Sequence, residues 1–166
     1  MTQAETTSNL REKQREETRL RILESAGAIF SELGFDAASF ALIAKRAAVK
    51  KALVQYHFTT KEELWKSAVT YIWEERQAAL PLYFSSVTRV DTTEDLYPLF
   101  KAIMRFSMDH PAWVGIMFRE SSQPSKRLDW LVDEYVRSDY ERVMHFAREA
   151  QVRGLLPDNE MIQDFR

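Results

Sequence analysis

Residues 47–58 read "AAVKKALVQYHF". Two adjacent lysines interrupt an apolar run, and a histidine stands near its end. A buried segment does not hold two unpaired ammonium groups, because taking a charge out of water without a partner is costly. The segment therefore has two faces. Val49, Val54 and Phe58 turn inward at helical spacing. Lys51, Ala52 and Gln55 fall on the opposite side, with Lys51 and Gln55 one turn apart.

The stretches on either side give this short helix a setting. Before it, Ser39 is a suitable N-cap for a helix running to Ala47, whose inward stripe is Phe40, Ile43, Ala44 and Ala47. Earlier still, Ile22, Ala26, Ile29 and Leu33 repeat at helical spacing from about Thr18, and Gly34 ends that helix. After it, Thr60 and Glu63 have capping-box spacing and open a long helix from Lys61 to about Ala79, ended by Pro81. Two short helices joined by a tight turn form a helix-turn-helix, whose second helix lies in a DNA major groove. On its outward face, Lys51 can donate to guanine O6 and N7, and Gln55 can pair bidentately with adenine. Ala52 permits close approach or contact with a thymine methyl. Lys50 can reach a base edge or a phosphate.

Charge supports this setting. The 166 residues carry a net charge of −2, yet residues 37–61 hold five basic side chains and no acidic one. Positive charge gathered in one segment of an acidic chain is the footprint of a polyanion site. Hydrophobic residues make up 45% and charged residues 29%, as in globular proteins generally. Cysteine is absent, which excludes disulfides and thiolate metal sites. No apolar run approaches the ~20 residues that span a bilayer, so no membrane partner is expected and a cytoplasmic location is.

The remaining periodicity is helical and shows no strand pattern. Helices are expected from about Asp91–Thr93 to Asp109, from Pro111 to about Ser121, and from about Lys126 to Val152, the last ended by Gly154. Asp158 can cap a final helix. The fold class is all-α: a flexible arm (1–17), a helix-turn-helix head (18–62) and a long-helix bundle (63–166).

The stretch "ILESAGAIFSELGFDAASFALIAKRAAVKKALVQYHFTTKEELW" (22–65) resembles the N-terminal domain of tetracycline-repressor-like (TetR/AcrR) transcriptional regulators. The likeness lies in the end of helix one, in "IAxxA.V" and in "YHF..KEEL". It implies that His57 and Lys61 hold DNA phosphates. It also implies a bundle that dimerises and binds a small-molecule effector, so that an operator-bound repressor is released by its ligand. Residues expected at the DNA are thus Lys50, Lys51, Ala52, Gln55, Tyr56, His57, Lys61 and Ser39, with Tyr56 open between core packing and DNA contact. The family's turn glycine is replaced here by Ala48. Its usual bundle continues past where this sequence stops, so the dimerisation domain is expected to be incomplete.

Other chemistry is thinly represented. Met104, Met108, Trp113 and Met117 are candidates for the effector pocket wall, although bundle core reads the same way. Glu141, His145 and Glu149 share one helical face, which is equally the look of an exposed surface. Arg11, Lys13 and Arg15 are either a minor-groove arm or a solvated run balanced by Glu12, Glu16 and Glu17. His57, His110 and His145 lie on separate segments and no Gly-rich phosphate loop exists. Neither an enzyme, a metal nor a cofactor is expected. The competing reading is a helical protein-interaction module that keeps the head without DNA binding.

Overall fold

A computed structural model describes residues 3–85 and 91–156 of the chain, with side chains described from Ser8 onward. The described residues form eight α-helices and one π-helical turn, and include no strand. They are α1 (Gln3–Ala37), α2 (Phe40–Arg46), α3 (Lys51–His57), α4 (Lys61–Phe84), α5 (Leu96–Asp109), α6 (Pro111–Glu120), α7 (Lys126–Leu131) and α8 (Arg137–Val152). The π turn, Val132–Val136, joins α7 to α8. The described residues divide into two compact units: those up to Gln77 with Pro111–Arg119, and Ala78–His110 with those from Glu120 onward.

The first unit is built around α1. Ile22, Leu23, Ala26, Ile29 and Phe30 are buried on one stripe of it, and Ile43, Ala44, Val54, Phe58, Leu64 and Trp65 are buried in the same unit. Gly34 breaks the helix as its position demands, with φ 81° and ψ 172°, and the chain regains helical form only for one further turn. Ser39 caps α2, its hydroxyl accepting from the Leu42 N–H at 3.2 Å. The capping box of α4 also forms: the Glu63 N–H donates to Thr60 Oγ1 at 3.0 Å, and the Glu63 carboxylate accepts from the Thr59 N–H at 2.8 Å.

The turn between α2 and α3 holds Ala48 at φ 54°, the left-handed region that the missing glycine would occupy freely. The Val49 N–H reaches back to the Ala44 carbonyl at 3.0 Å, closing α2 with a left-handed cap. Ala48→Gly is therefore expected to stabilise the chain by ~1 kcal/mol in urea unfolding, by removing the clash of Cβ with the backbone.

Within the same unit, α6 meets α1 at close range. A Cβ on Gly115 would lie 3.0 Å from Ser31 Cβ and 3.1 Å from Ser31 O, so only glycine fits there without a shift. The Arg119 guanidinium donates to the Ser31 carbonyl at 2.8 Å and to the Glu32 carbonyl. It thereby satisfies carbonyls that the break at Gly34 would otherwise leave open.

In the second unit, Tyr83 and Phe84 pack edge-on against Phe106 at 5.1 and 6.0 Å. The Tyr83 hydroxyl donates to Asp109 at 2.8 Å. Buried Glu120 is paired with Arg127 at 3.2 Å. Tyr135, in the π turn, is buried and meets Trp130 edge-on at 5.5 Å.

Three expectations about the elements are corrected. Residues 3–17 extend α1 as helix rather than forming a flexible arm. The stretch is rich in Glu, Arg, Lys and Gln, which favour helix, and Arg19 pairs with Glu16 one turn back at 3.6 Å. Pro81 lies inside α4 rather than ending it. The long helix expected from Lys126 is interrupted by the π turn. Smaller differences follow local capping. The α5 helix starts at Leu96, after a turn in which the Asp95 carboxylate accepts from Asp91 and Thr92. The cap expected at Asp158 lies outside the described residues.

Candidate nucleic-acid interface

The inward side chains of α3 are those the spacing required. Val54 and Phe58 are 0% and 2% exposed, and Val49 is half-buried. The other face is open: Lys50, Lys51, Ala52, Gln55 and Tyr56 are all exposed. Lys50 stands at the N-cap of α3, and Lys51 and Gln55, like Ala52 and Tyr56, are one turn apart on the outward side. Leu53, 37% exposed, joins this surface; sequence reasoning passed over it as part of the apolar run. Five cations without an acid occupy residues 37–61, and of these Arg46 is spent on Glu32 at 2.8 Å. A seven-residue helix held from behind and bare in front can lie in a groove about as wide as the B-DNA major groove, ~12 Å.

Tyr56 is 68% exposed, so its ring is not core packing. The Arg15 guanidinium of α1 lies 5.7 Å from that ring, and the Arg19 guanidinium lies 5.7 Å from the ring of Phe58. The structure thus brings two arginines of α1 to the end of α3. Sequence reading missed Arg19 altogether. The available signal was its i, i+4 relation to both Arg15 and Leu23, which carries it along the buried row of α1.

His57 is half-buried between Tyr56 and Phe58, edge-on to the first at 5.3 Å. Burial lowers its pKa below the ordinary 6.5, Arg15 and Arg19 lower it further, and Glu16 opposes them. At neutral pH the imidazole is neutral and offers one N–H. The unfolded chain then binds more protons than the fold between the lowered value and 6.5. The stabilisation is complete above pH 6.5 and is lost as pH falls toward the native value. Urea midpoints of the wild type should accordingly decline between pH 7 and pH 5 more steeply than those of His57→Gln. Equal slopes would show that the His57 pKa is not lowered by folding.

Lys61 is placed differently from Lys50 and Lys51. Its ammonium donates to the carbonyls of Asp36 (3.3 Å) and Ala38 (3.2 Å) and lies 4.5 Å from the centre of the Phe35 ring. It clamps the corner between α1 and α2, and so positions Ser39, which is exposed at the start of α2 with its hydroxyl proton still available to donate.

The four pocket candidates fall two in each unit. Met104 and Met108 in the second unit are 44% and 75% exposed. In the first unit, Trp113 is buried against Trp73 at 5.0 Å with Arg76 beside it, and Met117 is half-buried. An open cleft of about 540 Å³ in the second unit is lined instead by Leu82, Tyr83, Lys101, Arg105 and Asp109, among others. His145 lies 3.5 Å from Glu149 on an exposed face. Among the described residues, no three His, Asp or Glu side chains converge as metal ligands would, and no helix is long and apolar enough to cross a membrane.

Residues 22–68 match the family model described as bacterial regulatory proteins, tetR family. Over 122 residues the chain is 27% identical to the "Probable HTH-type transcriptional regulator YttP" of Bacillus subtilis (strain 168), a match covering 74% of this chain and 59% of that one. Two solved structures share the fold. The TetR family transcriptional regulator PfmR from Thermus thermophilus matches at TM-score 0.60 and 21% identity, over 88% of this chain and 85% of that one. A TetR-like transcriptional regulator from Rhodococcus sp. RHA1 matches at TM-score 0.59 and 18% identity, over 84% and 70%.

Proposed function

We propose that this chain, whose residues 22–68 match the tetR family of bacterial regulatory proteins, is a sequence-specific DNA-binding transcription regulator. The observation that carries this reading is the two-faced α3. Val54 and Phe58 hold it from behind, while Lys50, Lys51, Ala52 and Gln55 are exposed in front. Lys51 and Gln55 read bases, and Lys50, Tyr56, Ser39 and His57 approach the phosphate backbone. Lys61 contributes by holding the corner that presents Ser39, with its third ammonium proton left for a phosphate.

The working form is a homodimer on a near-palindromic operator, with two heads reading major grooves ~34–36 Å apart. The chain represses, and a small-molecule effector bound by the helical body releases it. Release needs only that the ligand bind one conformation better than the other. The Bacillus relative is named a probable HTH-type transcriptional regulator, and this chain spans 59% of that protein's length.

The test is selection from a random-sequence duplex pool, followed by binding to the enriched site at several salt concentrations. Enrichment of one inverted-repeat sequence, with affinity falling steeply as salt rises, supports the reading. An unenriched pool contradicts it and favours the protein-interaction alternative.

A further inference from the structure

We propose that the face of α1 bearing Arg11 and Arg15 is a second phosphate-binding track, gripping the duplex beside the groove that α3 enters. The proposal rests on the reading of α3 as the DNA-facing helix. Arg11, Arg15, Arg19 and Leu23 form one i, i+4 row along α1, and Leu23, at its inner end, is 2% exposed in the head's core. The row therefore leaves the core on the side where α3 ends. Arg19 reaches Phe58 and Arg15 reaches Tyr56, each at 5.7 Å. Arg11 lies one further step out, ~6 Å along the helix. Alternate phosphates of one strand are spaced by ~6.8 Å of axis, so successive arginines of the row can meet them.

The chemistry suits phosphate. Arg15 lays its guanidinium against the Tyr56 ring, which leaves the in-plane N–H donors free for oxygen acceptors. Arg19 is paired with Glu16 at 3.6 Å and serves to fix the row against α3. Arg11 and Arg15 are exposed. Lys13, two residues from each of them, lies ~160° round the helix and is not part of the track. Residues 8–19 are helical, and a helix ~10–12 Å across does not enter a minor groove ~6 Å wide. The contact is with the backbone, not with bases.

The test compares the full chain with the R11Q/R15Q variant by fluorescence anisotropy. The probes are a labelled 40-base-pair duplex of mixed sequence and a labelled duplex enriched by the wild type. Losing two phosphate contacts should reduce the log–log salt slope by about 1.8 per head. Affinity should fall by the same factor on both probes, leaving the sequence preference unchanged. The R11K/R15K variant should restore the slope. A variant that matches the wild type in slope and affinity overturns the track alone. A wild type that enriches no sequence overturns the underlying reading of α3 instead. Far-ultraviolet circular dichroism confirms that α1 persists in both variants.

Discussion

The Lys51→Ala/Gln55→Ala variant should lose preference for its enriched site over mixed-sequence duplex by about 30-fold or more, while still binding DNA. Each well-formed contact from a side chain to a base edge contributes ~1–3 kcal/mol of discrimination, so two such contacts give at least ~2 kcal/mol per head. Both side chains are exposed, and neither holds α3 in place; Val54 and Phe58 do that from the other face. The fold should survive, and the loss should fall on the ratio of specific to mixed-sequence affinity. A variant that weakens both duplexes equally would place Lys51 and Gln55 on the backbone and leave base reading to other residues.

Trp65→Ala should cost ~3–5 kcal/mol in urea unfolding, the usual range for emptying a large aromatic site. Trp65 is 1% exposed and meets Phe35 edge-on at 6.4 Å, in the same unit as Phe58 and Leu64. It stands one turn past the Lys61 clamp, so the cavity would open where α4 joins the corner that presents α2. A domain of ordinary stability, ~5–15 kcal/mol, has little left after such a loss. Binding to the enriched duplex should fail at temperatures where the wild type binds fully. A cost below ~1 kcal/mol would mean that the head does not pack around Trp65.

Much of the head is legible from local signals, because each of its elements is short and closed by its own neighbours. Ser39 caps α2 three residues from its donor, and the inward positions Ile43, Ala44, Val54 and Phe58 follow from helical spacing alone. What escapes the sequence depends on distant partners. Lys61 looks like an exposed first-turn lysine until the carbonyls of Asp36 and Ala38 are seen beneath it. Pro81 costs a helix interior ~3 kcal/mol, but Tyr83 and Phe84 gain a packing partner in Phe106 that no local pattern reveals. Arg15 sits in a stretch polar enough to resemble an arm; only the helix through it brings its guanidinium to Tyr56. The pocket candidates are open for a related reason. Methionine and aromatic spacing marks a helix face, and says nothing about whether that face meets another helix or, as at Met108, water.

The central claim is that the outward face of α3 occupies a major groove. Dimethyl sulfate protection of the enriched duplex tests it most directly, because the reagent attacks guanine N7 at the floor of that groove. The wild type should protect a guanine in each half-site, and Lys51→Ala should expose it while phosphate contacts continue to hold the complex together. Full-affinity binding with every guanine N7 still reactive would contradict the account.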